Sequence, residues 1–223
     1  MAVCGDVGHA RSPQFAEFMR QVSDTFEKVF FVPGNHEFGL GTTYNRKAVT
    51  KLEPVLRHLC RRLGNVDYLD RETAIIRTPG EDITVAGSIL WSRPMPSVTD
   101  PMYDGGVGTG FGGGYLEHVA EHTAHVEWLT QVLRQHETKR KVVVLTHFVP
   151  TFRLIEPRFK KLGLRATSRY ATDLEHLFRP PLHAWLCGHT HSVLETTVNG
   201  IPTAVNAFGY SGEGVPQTKV IDL

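Results

Sequence analysis

Six polar residues sit where short apolar runs break into turns, and their types decide what chemistry is open to them. Asp6 closes AVCGD, Asn35 and His36 lie in FFVPGNHE, His147 ends VVVLTH, and His189 and His191 follow AWLC in GHTH. The inventory is one carboxylate, one amide oxygen and four imidazoles, with no thiolate. Such a nitrogen and oxygen set suits Mn, Zn, Fe or a similar first-row ion and disfavours calcium or an iron–sulfur cluster. Asp6 is the natural bridging ligand, because a carboxylate has two oxygens and can serve two cations, while Asn35 offers a neutral carbonyl oxygen. Taken singly, each residue has an ordinary structural role. Asp after Gly and Asn-His after Pro-Gly are common turn chemistry, and a histidine at a strand end is usually hydrogen-bonded or exposed. The joint occurrence is what matters: any fixed four-residue string turns up in about one in a thousand chains of this length, and both GNHE and GHTH are here.

The elements that must position these residues are legible from periodicity. MAVC opens the chain as a short strand. Ser12 and Pro13 then form an N-cap and first-turn pair, and Phe15, Phe18, Met19, Val22 and Phe26 follow at helical spacing, so a helix is expected over 13–27. VFFV at 29–32 is a buried strand, and strand–helix–strand is the alternation that builds parallel sheet. Residues 45–63 read as a helix, kinked or in two pieces at Pro54 and ended by Gly64. AIIR at 74–77, a PGED turn and ITVAGSILW at 83–91 read as hairpin sheet. A helix over 116–135 leads to the strand VVVLTH, and Thr172 with Glu175 has capping-box spacing for a further short helix. AWLCGHTH is a strand ending in a histidine loop, and VLETTV, an Asn199-Gly200 turn of type I′ and IPTAVN form a closing hairpin. In parallel sheets, sites gather at the carboxyl ends of strands, so the four polar tips are expected to converge.

Charge and composition exclude several classes. With 24 basic and 23 acidic side chains over 223 residues, bulk charge gives no footprint for nucleic acid. Three cysteines without a CxxC pair argue against a disulfide framework or a cysteine zinc site. No apolar run is long enough for a membrane helix, and no signal-peptide layout opens the chain, so the expected location is cytoplasmic. The glycine-rich run DGGVGTGFGGGY at 104–115 holds no lysine and is no P-loop; it reads as a surface loop.

In order, GD, GNHE, a lone histidine after a strand, and GHTH resemble the calcineurin-like metallophosphoesterase family, whose pattern is D-x-H, GD, GNH[DE], a lone histidine and GH-x-H. The resemblance spans Gly5 to about Tyr210 and implies an α/β fold with a sheet-sandwich core flanked by helices, expected as one domain over 1–223. It implies that Asp6, Asn35, His147 and His189 hold one cation, that Asp6 and His191 contribute to a second, and that His36 acts in catalysis. No D-x-H precedes MAVCGD, and His9 in GDVGH stands one residue too far to supply it. The expectation is therefore an N-terminal strand missing, one well-filled metal site, and slow turnover. The implied reaction is hydrolysis of a phosphate monoester or diester by in-line attack of a metal-activated hydroxide, on a phosphorylated substrate whose class the sequence leaves open. The rival expectation is a non-catalytic interaction module of the same fold with a partial metal site.

Other candidates attach more loosely. His9, Arg93 and Arg46 neighbour the polar tips and are expected to touch phosphate. His118, His122 and His125 share a helical face that reads as solvated, Trp91 reads as core, Tyr103 as a candidate pocket floor, and ETKRK at 137–141 as an exposed turn.

Overall fold

The computed structural model describes residues 1–95, 114–136 and 140–209. Most of the glycine-rich run, Tyr103, residues 137–139 and Tyr210 lie outside the described residues.

The first half of the chain builds a small parallel sheet. Strand β1 (Ala2–Cys4) pairs parallel with β2 (Val29–Val32), Cys4 opposite Val32, and β2 pairs parallel with β3 (Val66–Tyr68). The crossover between β1 and β2 is α1 (Pro13–Thr25), where Ser12 Oγ accepts the Phe15 N–H at 3.1 Å and Phe15, Met19 and Val22 are buried at helical spacing. Helix α2 (Arg46–Leu63) carries β2 to β3, with Asn45 capping its start and Gly64, at φ 83°, ending it. Of the two forms expected at Pro54, the two-piece one does not occur: α2 is continuous. Pro54 and Thr50 both lie on its exposed side, so the carbonyl left without a donor faces water.

The second sheet has six strands. Its order is β4 (Glu72–Ile76), β5 (Ile83–Ser88), β6 (Val142–Thr146), β7 (Leu182–Cys187), β9 (Ile201–Asn206) and β8 (Val193–Val198). The four central strands run parallel, while β4 and β8 are antiparallel edges made by the two expected hairpins. Asn199 and Gly200, at φ 50° and 81°, form the tight turn between β8 and β9. The sheets face each other across an apolar layer that includes Val32, Leu69, Val85, Val143 and Leu145. α1 and α2 cover the outside of the small sheet, and α3 (Tyr115–Gln135) covers the large one. A sheet sandwich flanked by helices is thus the architecture. No helix among the described residues is long and apolar enough to cross a membrane.

Two expectations fail locally. Thr172 and Glu175 do not open an α-helix; only a 3-10 turn forms at Glu175–Leu177. Thr172 Oγ1 accepts the Arg93 N–H at 2.8 Å instead, and the Glu175 carboxylate is taken by Thr151 and Arg153. The face of α3 read as solvated is buried: His118, His122 and His125 all turn inward. Beneath them the chain leaves β5 and runs irregularly through Trp91 and Ser92, so backbone groups there have no strand partner and imidazoles satisfy them. His118 Nδ1 accepts the Tyr44 N–H at 2.9 Å and its Nε2 lies 2.8 Å from Ser92 O; His122 Nδ1 lies 2.5 Å from Trp91 O. Trp91 is core, as its position at the end of an apolar strand implies.

Candidate metal centre

The centre assembles at the carboxyl ends of β1, β2, β6 and β7. Asp6 follows β1 by two residues, Asn35 and His36 follow β2, His147 caps β6, and His189 follows β7. Three left-handed backbone positions lie in these loops, Asp6 (φ 58°), His189 (φ 69°) and His191 (φ 49°), and the first two bring their side chains into the cluster. Non-glycine residues seldom adopt this conformation, and it concentrates where side chains must be aimed. The loops also touch closely: a Cβ on Gly5 would overlap the backbone of Gly34, and one on Gly34 would overlap the Asp6 carboxylate.

His147 is the hub. Its Nδ1 lies 2.7 Å from the Cys4 carbonyl and donates to it, so in the neutral ring Nε2 carries the lone pair. Around that atom stand Asn35 Oδ1 at 3.0 Å, His189 Nδ1 at 3.0 Å and Asp6 Oδ2 at 3.2 Å. The Asn35 amide is oriented by its Nδ2, which donates to Leu40 O at 2.9 Å, so its oxygen faces the cluster. Three acceptors therefore point at one another in a buried space, and His189 can supply at most one proton between them. Asp6 Oδ2 and His189 Nε2 are buried without a hydrogen-bond partner. Such crowding is unfavourable unless a cation sits among the lone pairs. The separations also match those between neighbouring ligands of an ion bound at about 2.0–2.2 Å. Asp6, His147 and His189 form the group of potential metal ligands found among the described residues.

The electrostatics agree. Burial alone would raise the Asp6 carboxyl, but neighbouring His147 and the His36 N–H on its Oδ1 hold it well below the usual carboxylate range. Burial works against a charged His147, yet the Asp6 carboxylate outweighs it and raises that imidazole. Burial, reinforced by His147, pushes His189 far down. The cavity thus favours positive charge at its hub and keeps the second imidazole free to donate a lone pair.

Not every residue expected here enters the cluster. His36 sits at its mouth, with Nε2 3.8 Å from Asp6 Oδ2 and a side chain 44% exposed. His191 lies two residues beyond His189, half-buried and outside the close group. His9 is exposed on the loop after Asp6, where its Nδ1 accepts the Arg11 N–H. Arg93 is exposed and tied by its backbone to Thr172, and Arg46 pairs with Glu117 at 2.8 Å.

Glu37, inside GNHE, had no role from sequence and has a large one. Its buried carboxylate accepts backbone N–H groups from Asp6 (2.9 Å), Val7 (2.7 Å), Gly8 (3.2 Å) and Gly34 (2.6 Å), and so binds the β1 loop to the β2 loop. Burial and then the Asp6 carboxylate raise its pKa. Phe148 and Tyr170 pack against the His189 ring, at centroid distances of 4.1 and 5.4 Å. No side-chain pattern in the sequence announces the role of Glu37, because its partners are main-chain N–H groups.

A sandwich of two sheets with a candidate nitrogen and oxygen metal site at its strand tips places the chain among layered α/β proteins. The family model for calcineurin-like phosphoesterases matches residues 1–193, and the chain belongs to that family. It is 26% identical over 230 residues to uncharacterized protein L509 of Acanthamoeba polyphaga mimivirus, covering 96% of this chain and 79% of that one. Among solved structures it is similar to the phosphopantetheinyl hydrolase PptH from Mycobacterium tuberculosis (TM-score 0.63, 18% identity, 95% of this chain and 79% of that one). It is also similar to a putative 5'-nucleotidase from Staphylococcus aureus (TM-score 0.53, 18% identity, 92% and 39%). At these identities the structural likeness concerns the fold.

Proposed function

We infer that this chain hydrolyses phosphate monoesters or diesters with a divalent transition ion, Mn, Zn or Fe, held by Asp6, Asn35, His147 and His189. The observation that carries the reading is the cluster of mutually facing acceptors around His147 Nε2, with His36 poised beside it at the surface. Bound there, the ion would supply Lewis-acid charge for the phosphoryl oxygens and lower the pKa of a water. The chain's own groups do the rest. Asp6 and Asn35 contribute oxygen donors of different charge, and Cys4 O fixes the tautomer of His147. Glu37 holds the Asp6 loop in register. His36, half exposed and next to Asp6, donates a proton to the leaving oxygen.

The test is to measure turnover of an aryl phosphate and bound metal on the same samples. His36→Gln should lower turnover by about 100-fold or more with metal content retained, whereas Asp6→Asn should lose both. If His36→Gln strips the metal and leaves the rate per bound ion unchanged, the assignment of roles is wrong.

A further inference from the structure

The 3-10 turn His36–Phe38 has two sides. His36 faces the metal cluster, and two residues later the buried Phe38 ring floors a separate cavity of about 360 Å³. The rest of its lining is His9, Arg11, Lys47, Ala48, Lys51 and Leu52. The floor is apolar and the rim carries two lysines, one arginine and one histidine, with no carboxylate among these residues. Arg20, Lys28, Arg46, Arg57 and Arg71, by contrast, each pair with an acid. Arg11, Lys47 and Lys51 have no acidic partner among the described residues.

Unpaired positive charge gathered around an apolar floor is a receptor for an anionic group attached to a carbon chain or ring. Its location gives the role. His9 follows Asp6 by three residues, at most about 10 Å of extended chain, and the Ala10 N–H donates to Glu37 O at 2.9 Å, tying the rim to the same turn. On the reading that His36 protonates the leaving oxygen, the leaving alcohol departs past His36, toward Phe38 and this cavity.

We propose that the cavity is a leaving-group subsite, and that the favoured substrates are phosphoesters whose alcohol half bears a second anionic group, phosphate or carboxylate, a few bonds from the scissile ester. The proposal rests on the hydrolytic role inferred above. Phe38, Ala48 and Leu52 pack on the intervening carbons, and Lys47, Lys51, Arg11 and His9 meet the distal charge.

The experiment uses the metal-loaded chain and a ladder of α,ω-alkanediol bisphosphates of two to six carbons, with ω-carboxyalkyl phosphates and simple alkyl phosphates of equal length. One chain length of the bisphosphate series should exceed its simple alkyl counterpart at least tenfold in kcat/KM, and the excess should shrink as salt is raised. In Lys47→Glu/Lys51→Glu that ratio should fall toward one, while Arg61→Glu/Arg62→Glu, the same charge change at the far exposed end of α2, should leave the ratio as it was. An equal advantage for the carboxylates identifies a general anion receptor; an advantage of the bisphosphates alone identifies a phosphate receptor. No length preference, or one that survives in the Lys47/Lys51 variant, overturns the subsite. Calorimetric binding of the same ladder separates the two readings: lysine-dependent, length-dependent affinity without turnover of any ester leaves the subsite standing and removes the hydrolytic role, whereas turnover with no such affinity does the reverse.

Discussion

Two groups of buried histidines lie in this molecule, and they differ in what their nitrogens face. At the strand tips, His147 Nε2 confronts Asn35 Oδ1, Asp6 Oδ2 and His189 Nδ1 within 3.0–3.2 Å, a meeting of lone pairs with too few protons. On α3, His118 accepts from Tyr44 N–H and donates to Ser92 O, and His125 Nδ1 lies 2.6 Å from Ser88 Oγ with Nε2 3.1 Å from Glu121 Oε1. Each of these imidazoles has complementary partners. Burial is common to both groups, and the carboxylates nearby are comparable. The difference lies in donor and acceptor arithmetic: an unbalanced set calls for a cation, and a balanced set is already complete.

The contrast is tested most severely by metal. At a concentration one hundred times its dissociation constant, a divalent ion should stabilise the wild type by about 2.7 kcal/mol. Asp6→Asn should weaken metal affinity by more than about 100-fold, beyond what supporting groups achieve, and abolish the melting shift. His118→Leu should keep that shift. If metal instead protects the α3 variant less than the wild type, the two groups are not independent.

His118→Leu should nonetheless damage the fold. It strands the Tyr44 N–H and the Ser92 carbonyl, each worth about 1–3 kcal/mol when left unpaired in the interior, so a loss of roughly 2–6 kcal/mol is expected in chemical denaturation.

A smaller effect comes from protons. Burial, partly offset by the bond to Ser92 O, lowers the His118 pKa to about 4, and burial lowers His122 as well. With His118 at about 4 when folded and near 6.5 when unfolded, only the unfolded chain takes up the proton in that interval. The stabilising contribution is complete above pH 6.5 and is lost as pH falls toward 4, by roughly 3 kcal/mol. Glu121 and His122 nearby are shifted as well, so the measurement is the difference in denaturation free energy between wild type and His118→Gln, both in chelator, from about pH 7 to 4. A difference that stays flat would show that His118 is protonated in the fold without penalty.

What could be read without coordinates follows from what side chains announce. The short apolar runs that end at Asp6, Asn35, His147 and His189 are visible in one dimension, and parallel sheet brings their ends together, so both the layered fold and the cluster were legible. The role of Glu37 was not, because its partners are four main-chain N–H groups that leave no side-chain pattern. The α3 histidines misled for the same reason: their partners are main-chain groups, the Trp91 and Ser92 carbonyls on irregular backbone after β5 and the Tyr44 N–H just before α2, and polarity on a helical face looks identical whether water or unpaired backbone lies beneath. Thr172 and Glu175 had correct spacing for a cap, but tertiary partners claimed both.

The finest test asks which of its two bonds His118 depends on. Tyr44, whose N–H it accepts, immediately precedes Asn45, and Asn45 Oδ1 caps α2 by accepting the Ala48 N–H at 3.0 Å. Asn45→Ala alone should lower stability by about 1 kcal/mol, the usual worth of such a cap. If the imidazole acts by holding Tyr44, it also holds the backbone geometry that lets Asn45 cap the helix, and the two losses overlap. The double variant Asn45→Ala/His118→Leu should then fall short of additivity by about 0.5 kcal/mol or more, as expected for groups sharing one piece of backbone. Additivity would instead place its grip at Ser92 and detach the α3 histidines from the start of α2.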